Sequence, residues 1–340
     1  MTRMPRARLT LGAAGIAAAL LLSACAGGAY SQTPLSPTPT TPVTTSAAPS
    51  TSSTPAASKC NPLPAGFNAV QSYEPLPALP AASALTGRLA EIRTRGYLVA
   101  GVSADTQLMG ARNPLTGQIE GFDIDLVRAI ATAILGDPSK VQLVVITAGQ
   151  RQSFLVDRKV DLVARNMTMN CVRWLDWPIA FSAEYYHAGQ KVLVRKGNAA
   201  ASLDALATAK ARVCAPTGTT SMTKLSEFVP KGAVAVPADT HTGCLVLFQQ
   251  GKVDAITGDD TVLAGLAAQD PYAVVPAQKA ITDEPYGLGF NAADVDLVRY
   301  VNRLLETMKA DGRWKASYDR WLAPSLGPAP APPAAAYGRQ

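Results

Sequence analysis

From Gly96 onward, short apolar runs alternate with amphipathic stretches, the pattern of βαβ units around a mostly parallel sheet. Residues 97–102 and 141–146 read as buried strands. Between them Ile124, Val127, Ile130, Ala131 and Ile134 recur at helical spacing, with Asp123 as a candidate N-cap and Gly136-Asp137-Pro138 as the stop. A second series begins near Lys191, where the runs 191–194, 212–215, 233–236 and 253–257 are predicted strands separated by helical stretches. Finally, Leu297, Val301, Leu304, Leu305 and Met308 make one apolar stripe that Gly312 ends. Two series predict two lobes of α/β class. An enzyme of that class would show the same periodicity, so function has to come from particular residues.

The two ends of the chain lack this pattern. Residues 1–8 carry Arg3, Arg6 and Arg8, an apolar run follows at 11–22, and then come Leu22, Ser23, Ala24 and Cys25. The run is too short for the roughly 20 residues that cross a bilayer as a helix, so it reads as a secretory leader. Small residues before a cysteine look like a bacterial lipobox, with cleavage before Cys25 and lipid on its thiol. Residues 31–58 hold 15 Ser or Thr and 6 Pro, with almost nothing apolar to bury. They read as a tether, spanning on the order of 30 Å as a flexible coil. The tail from Pro324 has similar composition and is expected to be disordered.

Charge and cysteines narrow the picture. The formal net charge of +6 falls to +3 once the three leader arginines are removed, a balance that argues against nucleic acid as a partner. Without Cys25, the four cysteines Cys60, Cys171, Cys214 and Cys244 allow two disulfides in an oxidising compartment. Of three pairings, Cys60–Cys171 and Cys214–Cys244 are favoured. The first would staple the segment after the tether onto the folded head, and the second would close a loop within one lobe. A structural metal finds no Cys-x-x-Cys or Cys-His spacing. Enzyme signatures are also missing: there is no G-x-S-x-G, H-E-x-x-H or P-loop motif, and His187 and His241 are the two histidines. Gly287-Leu288-Gly289 follows Asp283-Glu284-Pro285 instead of a strand, so a dinucleotide site is rejected. The acid pair Asp259-Asp260 lacks a second carboxylate at glycosidase spacing. No cofactor is expected.

Three stretches carry the parts needed to hold a carboxylate and an ammonium on one carbon. Residues 161–173 offer Arg165, Asn166, Thr168 and Arg173. Residues 216–221 form a Gly and hydroxyl turn before a helix, suited to presenting N–H groups to an anion. Residues 253–259 deliver Asp259 at the carboxyl end of a strand, where open α/β sheets bind ligands. From about Gly96 to Leu322 the chain resembles family 3 of the bacterial extracellular solute-binding proteins, the polar amino-acid receptors of ABC importers. The resemblance rests on the order of Gly121-Phe122-Asp123-Ile124-Asp125-Leu126, Lys159-Val160-Asp161-Leu162, Thr168 with Arg173, Phe181-Ser182 with Tyr185-Tyr186, Gly218-Thr219-Thr220, Gly251-Lys252-Val253-Asp254-Ala255, Tyr286-Gly287, Asp311-Gly312 and Trp321-Leu322. With the lipobox and tether, it resembles glutamine-binding lipoproteins of actinobacterial type.

The resemblance implies a two-lobed periplasmic-binding-protein fold of type II, a Venus flytrap hinged on two crossing strands near 190–194 and 285–289. The implied divisions are a leader at 1–24, a tether at 25–59, an N-terminal extension at 60–87, lobe 1 at 88–189 and 284–323, lobe 2 at 190–283, and the tail at 324–340. By matching position, Arg173 would clamp the ligand α-carboxylate, helped by the Thr168 hydroxyl and the N–H groups of Thr168 and Thr220. Asp259 would pair with the ammonium, the main chain of Asn166 would accept from it, and Asp105 would be a further polar contact. Thr219 is read with Thr220, either as a ligand contact or as an ordinary cap. Family members usually place aromatics where this chain has Leu108 and Ala148. Asn166, Asn170 and Val172 stand for Gly or Ser, Thr and Glu, and Arg165 replaces a small residue. The extra cation at Arg165 points towards glutamate or aspartate over glutamine. The implied partners are a small polar amino acid, the membrane through the lipid anchor, and either an ABC permease or a signalling membrane protein.

Overall fold

The computed structural model describes residues 57–340. The expected leader, the lipidated Cys25 and nearly all of the tether lie outside the described residues. A short strand β1 (Gln71–Tyr73) precedes helix α1 (Gly87–Arg95), which left-handed Gly96 ends. Strand β2 (Leu98–Val102) is buried at all five positions, as a strand covered on both faces must be. A small antiparallel ladder of β3 (Asp105–Thr106), β4 (Gly110–Arg112) and β5 (Ile119–Glu120) leads into α2 (Phe122–Leu135). Then come β6 (Val141–Val145), α3 (Arg151–Val156), β7 (Leu162–Ala164), α4 (Cys171–Leu175) and β8 (Ile179–Phe181).

The ten-residue strand β9 (Tyr186–Arg195) carries the chain into a second set of elements. These are α5 (Leu203–Thr208), β10 (Arg212–Pro216), α6 (Thr220–Ser226), β11 (Val234–Ala238), α7 (His241–Gln249), β12 (Ala255–Asp259), α8 (Asp260–Gln269) and β13 (Ala273–Val274). Strand β14 (Asp283–Tyr286) returns antiparallel to β9, pairing Tyr286 with Tyr186. After it β15 (Gly289–Asn291) rejoins the first sheet, followed by α9 (Val295–Ala310), α10 (Arg313–Trp321), α11 (Ala323–Leu326) and β16 (Ala336–Arg339). The first sheet runs β6-β2-β7-β15-β8 and the second β11-β10-β12-β9-β13. Each is mixed, because the strand that arrives from the hinge, β9 in the second sheet and β15 in the first, runs antiparallel to its neighbours.

Each sheet has its own apolar core. One is built from residues of α1 to β9 together with β14 to α10. The second lobe has two clusters, one on each face of its sheet. The expected helical stripe of Leu297, Val301, Leu304, Leu305 and Met308 is buried along α9. Phe122 packs edge-on against Trp314 at 5.9 Å between ring centroids, with Tyr185, Tyr186 and Tyr318 around it. Truncating such a ring to Ala removes roughly 3–5 kcal/mol.

Four expectations are corrected. Residues 283–285, expected to lie outside any strand, begin β14 because they pair antiparallel with β9, and the run 141–146, expected to be buried, contains the half-exposed edge strand β6. Asp123 is not an N-cap: Gly121 holds that position, and the buried Asp123 carboxylate accepts from the Asn166 N–H (2.9 Å) and the Tyr185 hydroxyl (2.7 Å). The tail is not disordered. Strand β16 pairs in parallel with β1, Lys309 Nζ donates to the Pro333 carbonyl at 2.7 Å, and Arg339 lies against Trp174. Its order comes from partners supplied by the other end of the chain, which its own Pro- and Ala-rich composition does not reveal. The disulfides are Cys60–Cys171 and Cys214–Cys244, the favoured pairing.

Candidate functional site

The lobes meet at the carboxyl ends of their parallel strands. Thr242 on α7 donates to the Asp105 carbonyl at 2.9 Å, and Arg151 at the start of α3 donates to the Gly218 carbonyl at 2.9 Å. Gly218 has φ +72, and a Cβ there would sit 2.7 Å from the Gly149 Cα, so the approach needs glycine. Behind these contacts is a tight cavity of about 10 Å³. The first lobe lines it with Arg151, Arg165, Asn166, Thr168 and Arg173, the second with Thr219, Thr220, Ser221, His241 and Asp259.

The cavity's three arginines are 2%, 5% and 3% exposed in chain order, and none is in an ion pair among the described residues. Backbone carbonyls hold them in place. Arg151 Nε donates to Ala148 O (2.9 Å), Arg165 Nε to Ile146 O (2.8 Å) and Arg173 Nη1 to Thr168 O (2.7 Å). Burial pushes the Arg173 pKa down to about 10, against the pull of Glu284 and Asp259; Arg151 is lowered by burial and by its two neighbouring guanidinium groups. Buried cations held by neutral carbonyls are expensive, and the carboxylates of Glu284, Asp259, Asp105 and Asp123 offset part of that cost without forming an ion pair among the described residues.

Asp259 ends β12 with its carboxylate inside. Its Oδ2 accepts from the Tyr286 hydroxyl at 2.6 Å, while Oδ1 has no hydrogen-bond partner. Burial, with Glu284 close by, raises its pKa to about 8. The side-chain oxygen of Asn166, a residue held at φ 36, is likewise buried and unpartnered, and so is His241 Nε2. Burial and the field of Arg165 lower the His241 pKa to about 3, so the ring is neutral. Gly258 makes room for it, since a Cβ would lie 2.6 Å from Nε2. Buried polar atoms are nearly always paired, and here three unpaired ones line one cavity.

Glu284, on the returning strand β14, adds a link between lobes. Its Oε2 accepts from the hydroxyls of Thr168 (2.6 Å) and Thr220 (2.8 Å), and its Oε1 from Thr282 (2.6 Å). The Thr168 and Thr220 hydroxyls therefore commit their protons to Glu284.

The model of the bacterial extracellular solute-binding proteins, family 3, matches residues 98–324. The chain belongs to this family. It is a solute-binding protein, not an enzyme. It is 34% identical over 69% of its length to the ABC transporter glutamine-binding protein GlnH of Bacillus subtilis, covering 84% of that protein. The glutamate-binding protein GluB of Corynebacterium efficiens is 30% identical, over 71% of this chain and 82% of its own. Among solved structures, the solute receptor for L-cysteine of Neisseria gonorrhoeae aligns with a TM-score of 0.66 at 25% identity, covering 71% of this chain and 96% of its own. The fold is the family's two-lobed α/β binding fold.

Within this solute-binding protein, the residues singled out from sequence divide into two groups. Arg165, Asn166, Thr168, Arg173, Thr219, Thr220 and Asp259 come together around the cavity. Thr219 also caps α6, accepting from the Met222 N–H at 3.1 Å. Asp105 and Leu108 do not line the cavity. The Asp105 carboxylate is bonded by the Ser103 hydroxyl (2.8 Å), and its charge acts on Arg165 and His241 from behind. Leu108, at φ 75, packs against the first-lobe core. Three residues were missed: Arg151, His241 and Glu284. Arg151 and His241 each open a helix after the carboxyl end of a strand, β6 and β11, and that position was the available signal.

Proposed function

We propose that this solute-binding protein is a lipid-anchored receptor for a small polar L-amino acid with a carboxylate side chain, glutamate or aspartate ahead of their amides, and that it delivers this ligand to an ABC importer. One observation carries the reading: a single buried cavity combines three guanidinium groups that form no ion pair among the described residues with two buried oxygens, Asn166 Oδ1 and Asp259 Oδ1, that have no donor among them. An α-amino acid supplies the complement, an ammonium for the oxygens and carboxylate for the arginines. A neutral side chain would leave one or two guanidiniums uncompensated, whereas a second carboxylate is matched by Arg165 and Arg151. The relatives named for glutamine and glutamate agree with this class of ligand.

Ligand contacts come from both lobes, so binding favours the closed arrangement, and a membrane partner that prefers closed heads detects occupancy. The basic, apolar and Leu-Ser-Ala-Cys order at the start of the chain supports lipid on Cys25. Cys25→Ser is then expected to move the protein from the membrane fraction into the medium. For the ligand, a thermal-shift screen of the full chain against the twenty amino acids is the test. A ligand at a hundred times its Kd adds about 2.7 kcal/mol of stability. Glutamate or aspartate is expected to give the largest shift; no shift from any amino acid rejects the reading.

A further inference from the structure

The family model covers residues 98–324, which leaves the described residues 57–97 and 325–340 outside it. Both outlying segments converge on α4, the helix that carries Arg173. We infer that the two chain ends form a clamp that positions the Arg173 guanidinium for the ligand carboxylate, an inference that rests on the amino-acid reading of the cavity.

Helix α4 has five residues, too few to hold helical geometry by its own hydrogen bonds, since isolated helices below about 12 residues are marginal in water. Its place is fixed from outside. At its first residue Cys171 is joined to Cys60. At its other end the Asp176 carboxylate accepts from the Ser58 hydroxyl (2.6 Å) and the Lys59 N–H (2.8 Å). In the middle, Trp174 Nε1 donates to the Ala69 carbonyl at 2.8 Å, and the Arg339 guanidinium lies 3.8 Å from the centre of the Trp174 ring. Arg339 is itself tied to the N-terminal segment, donating to Gln71 O (2.8 Å) and Asn68 O (2.9 Å).

Arg173 sits between Val172 and Trp174 in this helix, and its N–H donates to the Asn170 side chain at 2.9 Å. A guanidinium grips a carboxylate through two parallel bonds, and this geometry tolerates errors of about 0.5 Å. Holding the helix from three sides before the ligand arrives removes ordering cost from binding. If the ends served only the stability of the first lobe, their loss would lower the melting temperature and leave affinity alone.

The test uses the full chain, with L-glutamate and L-glutamine as probes, at a temperature where every variant is folded by its own unfolding curve. Arg339→Gln and the pair Cys60→Ser/Cys171→Ser are each made in the native chain and in an Arg173→Lys background. Side chains that act as one unit couple strongly, so each change is expected to raise Kd in the native chain by roughly fivefold to tenfold, and by less than about twofold in the Arg173→Lys background. An unchanged Kd with a lower melting temperature overturns the inference, as does an equal rise in both backgrounds. If the cysteine pair fails to fold, Arg339→Gln decides alone. If the native chain binds neither probe, the amino-acid reading falls and this inference with it.

Discussion

Two clusters of arginine and aspartate, one around the buried Asp161 and one between the lobes, differ in what they leave unpaired. In the first lobe Asp161 accepts from Arg88 (2.6 Å), from Arg95 and from the Val99 N–H (2.7 Å), so its carboxylate is fully engaged. Between the lobes, three arginines have no ion-pair partner among the described residues, and Asp259 keeps one oxygen free. The same residue types thus do opposite things. The satisfied cluster fixes α1 onto the sheet, and the unsatisfied one is the site proposed for the ligand.

Removing each acid separates the two roles most sharply. Asp161→Ala strands two arginines and a buried N–H and is expected to cost roughly 3 kcal/mol in denaturant unfolding, with ligand affinity unchanged in the folded protein. Asp259→Asn is expected to do the reverse. It removes a buried carboxylate whose ionised form is disfavoured by desolvation and by Glu284, so stability is expected to hold or rise at pH 8, while calorimetric titration is expected to show affinity down about a hundredfold. Comparable stability losses in both variants would erase the distinction.

The pH response follows from the same difference. Asp259, with its pKa raised to about 8, is neutral in the ligand-free fold at lower pH, and its contribution to stability fades as pH climbs from its ordinary range through about 8. A ligand ammonium favours the ionised form, so binding releases a proton between the lowered pKa of Asp259 in the complex and about pH 8. Affinity is therefore expected to rise across that window and level off above it, and Asp259→Asn should flatten the curve.

A smaller effect is expected from Arg165. Replacing it with Ala should reduce the preference for aspartate over asparagine by roughly tenfold in competition titrations, with little change in stability. An unchanged preference would leave the side-chain carboxylate to Arg151 and His241.

What could be seen in the sequence follows a physical line. Periodicity within one element is local, so β2, α2, α9 and the change of series near Lys191 were readable, and the ordered motifs around Thr168, Arg173 and Asp259 led to the cavity. Contacts that exist because two distant segments meet were not. Arg151 looks like an ordinary helical arginine until Gly218 closes over it from the other lobe. His241 matters because Gly258 lets its ring approach, and Asp123 turned from a cap into an internal anchor because Tyr185 and Asn166 fold onto it. The tail misled for the same reason: Arg339 finds Trp174 across most of the folded chain, and composition carries no record of that partner.

The central claim, that the unsatisfied cluster is an amino-acid site, is tested most directly by isothermal titration of L-glutamate and L-aspartate into the native chain and into Arg173→Ala. The account predicts one site per chain, with affinity lost by about a hundredfold or more in the variant while its unfolding curve stays close to the native one. Absence of binding to the native chain, or equal affinity in Arg173→Ala, would contradict it.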